Sequence, residues 1–166
     1  MNKLKLKGHY TVTCHRKDGS LKWRQDTANT VVNLALNFAL DVVLGSAPKA
    51  GAWYIGLMSA SPTVAPTDTI SSHPGWTEVL LYSETVRQSL IVAAASGQSV
   101  SNTASLARFT VNADGTSIGG AFLASNGVKG GVAGLLFSAA AFSGGNQSAD
   151  NGETVSITYT LASSDQ

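Results

Sequence analysis

TSIGGAFLASNGVKGGVAGLLFSAAAFSGGNQSADNGETVSITYTLAS, residues 116–163, is the stretch that decides the fold class. Apolar runs of strand length, at 118–123, 134–137 and 154–161, are separated by glycine-rich segments. Asn126-Gly127 and Asn151-Gly152 are dipeptides suited to turns that need positive φ. In the last run Val155, Ile157, Tyr159 and Leu161 alternate with Thr154, Ser156, Thr158 and Thr160. A strand with that period has one apolar and one hydroxyl face, so its apolar face must be covered by a second layer. The stretch carries little charge and no catalytic-looking cluster. It predicts the closing strands of an antiparallel β-sandwich.

The rest of the composition agrees. A chain of 166 residues has room for one domain with a real core. Charged residues make up 13%, about half the usual share. A β-rich protein whose surface is partly covered by partners would show such a balance. The charge is unevenly placed. Residues 1–24 hold seven of the eleven Lys and Arg against one acid, Asp18, whereas the remainder holds four basic residues against nine acids. That pattern reads as a basic arm on an acidic body. Cys14 is the only cysteine, so no intramolecular disulfide can form. The start, MNKLKLKG, has no apolar run behind its charges, and the run at 31–44 is too short to span a bilayer. A soluble protein synthesised in a cytoplasm is expected.

Residues 3–26 predict a long hairpin. Leu4, Leu6, Gly8, Tyr10, Val12 and Cys14 alternate with Lys3, Lys5, Lys7, His9, Thr11, Thr13 and His15. Asp18-Gly19 suits a two-residue type I′ turn, which pairs Arg16 with Leu21, Cys14 with Trp23 and Val12 with Gln25. The first strand is about twice the length of its mate, so residues 3–10 need another partner: the body, a sister subunit or a different chain. Residues 29–44 predict a helix, with Asn29, Asn33, Asn37 and Asp41 as a polar stripe, Asn29 or Thr30 as N-cap, and Gly45 and Pro48 as the stop. So apolar a helix is expected to be buried. Further strands are predicted at 53–58, 76–82, 89–95, 98–103 and 106–111. The fold class expected is therefore mainly β: an antiparallel, jelly-roll-like β-sandwich with one buried α-helix and an N-terminal extended β-hairpin arm. The arm covers 1–27 and the body 28–166.

Catalytic signatures are missing from the sequence: it has no nucleophile elbow, P-loop or dinucleotide fingerprint. Asp68, His73 and Glu78 could be drawn as an acid/base or metal cluster, but a turn cap, a residue before proline and a solvent-facing strand residue explain them more simply. His9 and His15 could share a metal only with a partner strand. Trp53, Tyr54, Trp76 and Tyr82 could form a sugar-stacking platform, or could be core and interface anchors. The basic arm could meet phosphates, although a hairpin with one apolar face suits an acidic protein surface better. No enzyme activity, cofactor or metal is expected.

The segment Asp68-Thr69-Ile70-Ser71-Ser72-His73-Pro74-Gly75-Trp76-Thr77-Glu78 carries a resemblance, joined by Trp53-Tyr54-Ile55-Gly56-Leu57, Ile118-Gly119-Gly120-Ala121-Phe122-Leu123 and the run from Gly152 to Leu161. Together they resemble small virion structural proteins of tailed bacteriophages, the head decoration or cement proteins. The resemblance spans most of 23–161 and rests on packing and turn motifs. It implies a non-enzymatic β-sandwich that binds the outside of an assembled capsid, located on the virion and synthesised in the host cytoplasm. The implied partners are the major capsid protein and further copies of the chain, as a dimer or trimer, with no nucleic acid, membrane or small-molecule substrate. Lys3, Leu4, Lys5, Leu6, Lys7 and Tyr10 are expected at capsid or inter-subunit contacts, and Trp53 and Trp76 at an aromatic interface. The alternatives are a tail or baseplate structural protein, or a carbohydrate-binding adhesin of the virion.

Overall fold

The computed structural model describes residues 5–164. The fold is mainly β with antiparallel sheets and, among the described residues, a single helix, in a sandwich-like arrangement. One sheet contains β1 (Lys5–His15), β2 (Leu21–Ala28), β6 (Ser99–Ser101), β7 (Ala107–Thr110) and β12 (Thr154–Ser164), in the order β2-β1-β12-β6, with β7 also on β12. The second has the order β3-β10-β9-β4-β5, built from β3 (Thr30–Val31), β4 (Tyr54–Met58), β5 (Gln88–Ser89), β9 (Gly120–Ala124) and β10 (Leu136–Ala141). A small pair joins β8 (Thr116–Ile118) to β11 (Gln147–Ala149). The helix, α1 (Asn33–Val43), packs against β10.

The central strands follow the alternation of the sequence. Tyr10, Val12 and Cys14 of β1 and Val155, Ile157 and Tyr159 of β12 are buried, and they pair directly: Tyr10 with Tyr159, Val12 with Ile157, Cys14 with Val155. The first hairpin is therefore not a separate arm. β1 pairs with β12 from Lys5↔Ser164 to His15↔Thr154, and it lies inside the sheet between β2 and β12. β12 pairs with β1 along the whole of that edge, which is why the long strand needs no outside mate there, and the apolar residues of both strands lie side by side on one face of the sheet. The hairpin turn also differs from a type I′ turn. Gly19 has φ +83 while Asp18 does not share a positive φ, Gly19 N–H donates to Arg16 O, and Arg16 N–H donates to Ser20 O. This is a three-residue loop with a bulge, so His15 rather than Arg16 faces Leu21, while Cys14↔Trp23 and Val12↔Gln25 hold.

Two side-chain amides stitch the sheet. β6 covers β12 at Thr160–Ala162 and β7 covers Thr154–Ile157, leaving a gap between them. Asn102, fully buried, fills it: its side-chain oxygen accepts Tyr159 N–H at 2.7 Å and its amide donates to Ile157 O at 3.1 Å. Asn29 does comparable work elsewhere, accepting Gly8 N–H at 2.8 Å and donating to Tyr159 OH at 3.1 Å. Gly8 must lack a Cβ because that atom would collide with the Asn29 amide. Asn29 is thus a strand tether and not a helix cap.

The helix departs furthest from expectation. It begins at Asn33, after β3, and its cap residue Val32 makes no side-chain hydrogen bond. Only Ala35 is fully buried, with Phe38, Ala39 and Val42 half-covered, while Leu34, Leu36, Leu40 and Val43 project outward. α1 lies on the body with its back to the core, and the expected buried helix is a surface helix. Residues 76–82 likewise form no strand. They touch their neighbours through single bridges, Met58↔Glu78 and Tyr82↔Val111. The Asn126-Gly127 signal opens a longer loop that closes at Ser125 N–H to Leu135 O, whereas Gly152 has the expected positive φ of 81.

Candidate interaction surface

The residues expected at capsid contacts fall into different environments. Lys3 and Leu4 lie outside the described residues. Lys5 and Lys7 are exposed on the outer face of β1, Leu6 is half-buried against the core, and Tyr10 is wholly buried. Tyr10 cannot meet a partner. Its ring lies 4.6 Å from that of Tyr159, and its hydroxyl pairs with Ser138 Oγ of the facing sheet at 3.0 Å. Burial pushes the Tyr10 hydroxyl well above the ordinary tyrosine value, and Tyr159 up to about 12.

One open edge remains near the chain's start. β2 pairs with β1 only from His9↔Ala28 onward, and beyond it Asn29 ties to Gly8. Lys5, Leu6 and Lys7 therefore have β12 on one side and no strand on the other among the described residues. They also keep their charge free. Elsewhere in the hairpin Lys22 and Arg24 are paired with acids. Lys22 reaches Asp150 and Glu153 at 2.8 Å each, Arg24 reaches Asp26 at 2.6 Å, and Arg16 donates to Leu21 O. Lys5 and Lys7 form no ion pair among the described residues. The broad basic face expected from composition is therefore divided between this overhang and Arg16 and Lys17 at the hairpin turn, which also form no ion pair among the described residues.

The aromatic pair is not a platform. Trp76 is buried between His73, stacked at 3.6 Å between ring centroids, and Phe122. Trp53 is half-buried, with Phe38 and Phe137 set edge-on against it. Trp76 therefore has no open ring face for a sugar to stack on, and Trp53 lines a groove beside α1.

Asp68, His73 and Glu78 do not converge on one function. Asp68 closes a turn by accepting Ala65 N–H. Glu78 is no solvent-facing residue. Its two oxygens take the Arg87 guanidinium at 3.0 and 2.7 Å and Gly130 N–H at 2.8 Å. Arg87, 1% exposed, also donates to Asn126 O and Gly131 O and lies over the Phe122 ring. With both oxygens hydrogen-bonded, Glu78 serves as a clamp holding the 125–135 loop. A pocket of about 250 Å³ opens beside this clamp, lined by His73, Trp76, Leu80, Phe122 and Val132. His9 faces Asp26 at 3.5 Å, and among the described residues no three His, Cys, Asp or Glu side chains form a metal-sized group. Cys14 is a buried thiol pushed up to about 12, first by burial and then by Glu153, so it is inert.

What the surface does present is apolar. Leu34, Leu36, Leu40, Val43 and Leu44 project from α1 and its end. Leu80, Leu81, Val86, Val128 and Val132 project from the segments around the clamp, where Val86 and Val128 are bridged. Ile91 and Val92 add a third group on an extended segment. Isolated exposed apolar residues are ordinary, but groups of this kind mark interaction surfaces. The sequence shows these residues as apolar; only their placement shows that the fold leaves them outside. No protein-family model, curated protein or solved structure matches this chain.

Proposed function

We propose that this chain is a head decoration protein of a tailed bacteriophage, binding the outer surface of the assembled capsid and bridging its subunits. The observation that carries the reading is the distribution of its surface. Large apolar side chains stand outside in groups, an open strand edge carries two lysines with no ion pair among the described residues, and the Glu78–Arg87 pair beside the Trp76 cleft is consumed by a structural clamp. The resemblance of residues 23–161 to phage cement proteins points the same way. Such a protein needs surface to bury and weak contacts repeated over a lattice, where many copies raise the effective concentration.

In this reading Lys5, Leu6 and Lys7 dock on an acidic capsid edge, with the open side of β1 adding a short strand to it and the ammonium groups speeding encounter. Because β1 is an interior strand, the contact is probed by charge reversal and not by truncation. Lys5→Glu combined with Lys7→Glu should keep the fold and weaken capsid binding, with the difference shrinking as salt rises. Unchanged binding at low salt would remove the overhang from the interface. The reading as a whole is tested by copy number in purified particles, measured by quantitative mass spectrometry against the major capsid protein. A ratio near one, or a simple fraction of it, supports lattice-wide decoration. A handful of copies per particle moves the protein to the tail or baseplate, and absence from particles refutes a virion role.

A further inference from the structure

We infer that Asn126 is a site of spontaneous covalent modification: its side-chain amide cyclises onto the Gly127 nitrogen, loses ammonia, and opens with water to aspartate and isoaspartate. The inference goes beyond the decoration reading and does not rest on it.

The chain has two Asn-Gly dipeptides, Asn126-Gly127 and Asn151-Gly152. Glycine after asparagine screens its own nitrogen least, because it has no Cβ and its backbone turns freely. By that criterion the two sites are alike. The fold separates them. Gly152 N–H donates to Val111 O at 2.7 Å, which holds the attacking nitrogen in place and occupies its proton. Asn151 N–H is fixed as well, on the Asp114 carboxylate. Gly127 N–H donates to no acceptor among the described residues, and both Asn126 and Gly127 are only half-buried, within reach of water.

The Asn126 side chain is set for the attack. Its Oδ1 accepts Val128 N–H at 2.8 Å, an Asx turn that curls the amide back towards the peptide ahead of it. The same donor faces the oxygen on which negative charge gathers when the Gly127 nitrogen adds to Cγ, a placement that stabilises an oxyanion. Water is the only co-reactant. The Gly127 nitrogen gives up its proton and bonds to Cγ; the Cγ–Nδ2 bond breaks, and Nδ2 leaves as ammonia with that proton. Water then adds to either carbonyl of the cyclic imide. Addition at Cγ leaves an ordinary aspartate. Addition at the main-chain carbonyl carbon leaves isoaspartate, with the chain running through Cγ.

The fold favours the second product. The main-chain oxygen of Asn126 accepts a hydrogen bond from Arg87 Nη1 at 2.9 Å. In isoaspartate that oxygen belongs to a free carboxylate, so the guanidinium meets a negative charge where it already donates. Either product sets a new charge beside the exposed Val86 and Val128, so that surface changes as the protein ages.

The test incubates the full-length protein, folded and in denaturant, at mildly alkaline pH. Peptide mass spectrometry follows digestion in acid, where the cyclisation is slow. In the folded protein the peptide with Asn126 should gain the mass of NH2 exchanged for OH, several-fold faster than the peptide with Asn151. It should also take up heavy oxygen from labelled water. In denaturant the two should convert at similar rates, with a smaller isoaspartate share at Asn126 than in the folded chain. Amide hydrogen exchange gives an independent reading, with Gly127 exchanging early and Gly152 late. Conversion at Asn126 no faster than at Asn151 in the folded protein, a Gly127 amide as protected as that of Gly152, or a product lacking isoaspartate would each overturn the inference. An isoaspartate share no larger than in denaturant would remove Arg87 from it.

Discussion

Strand β12 and helix α1 are both rich in apolar residues, yet the fold treats them in opposite ways. β12 lies between β1 and the β6–β7 edge, its Val155, Ile157 and Tyr159 fully enclosed and its stray backbone groups met by Asn102. Around it even polar atoms are buried, and Tyr10, Ser138, Tyr159 and Asn29 satisfy one another across the two sheets. Among the described residues α1 forms no ion pair, and it turns leucines to the outside. The contrast separates two uses of hydrophobicity. In β12 it holds the monomer together; in α1 it is surface left over for something else to cover. A sequence profile scores both as core.

The largest effect should come from the buried side of this contrast. Glu78→Gln leaves the Arg87 guanidinium almost fully enclosed without its counter-charge, and breaking such a pair costs about 3–5 kcal/mol. For a chain of this size each kcal/mol lowers Tm by roughly 2–4 °C, so calorimetry should show a drop on the order of 10 °C. A shift under two degrees would mean that the clamp is dispensable.

Asn102→Ala comes next. It strands Tyr159 N–H and Ile157 C=O in the gap between β6 and β7, at about 2–3 kcal/mol, readable by chemical denaturation. An effect near zero would show that the gap admits water and that the sheet is less closed there.

A smaller and pH-dependent effect belongs to the Lys22 cluster. A hydrogen bond from Lys22 and another from Gly115 N–H hold the Asp150 carboxyl below its usual range. Burial pushes Glu153 upward, but Lys22 and Asp150 N–H outweigh it, and its carboxyl also ends below the ordinary value. Carboxyls lowered in the folded state stabilise it at pH values above the unfolded pKa of about 4, and that contribution is lost as pH falls through the folded values. Thermal melts should therefore weaken on acidification below about pH 4, and Lys22→Met should flatten the profile. An unchanged slope would remove the cluster from acid sensitivity.

The smallest effect sharpens the comparison from the other side. In the free protein, Leu40→Glu should alter stability by no more than about 0.5 kcal/mol, as for other surface positions. A loss of several kcal/mol would place Leu40 in the core and erase the distinction between the two regions.

The two-residue period is why the strands could be read. In β1 and β12 one parity is apolar and the other polar, so the sequence states which side faces inward, and the pairing Cys14↔Trp23 holds because the bulge between Cys14 and His15 offsets the extra loop residue. The turn itself was misjudged because the same Asp-Gly dipeptide serves both a two-residue turn and a three-residue loop with a bulge. Strand 76–82 failed for a different reason. Its apolar residues pack around the Glu78–Arg87 clamp, and no local pattern signals that a carboxylate will meet an arginine nine residues on. Of the candidate contact residues, Lys5 and Lys7 were placed outside as their parity required. Tyr10 shares the parity of Val12 and Cys14, and that was the signal that it would be enclosed.

The sequence by itself determined that this is a β protein with glycine-governed turns, a helix and one cysteine that can form no intramolecular disulfide, because strand period, backbone freedom at glycine and residue chemistry are local properties. Only the tertiary structure decided that the first strand lies inside a sheet beside the last, that Asn29 and Asn102 mend the ladder, and that α1 carries its leucines outward. Each of these depends on which segments distant in the chain meet, and burial belongs to that meeting rather than to any residue alone.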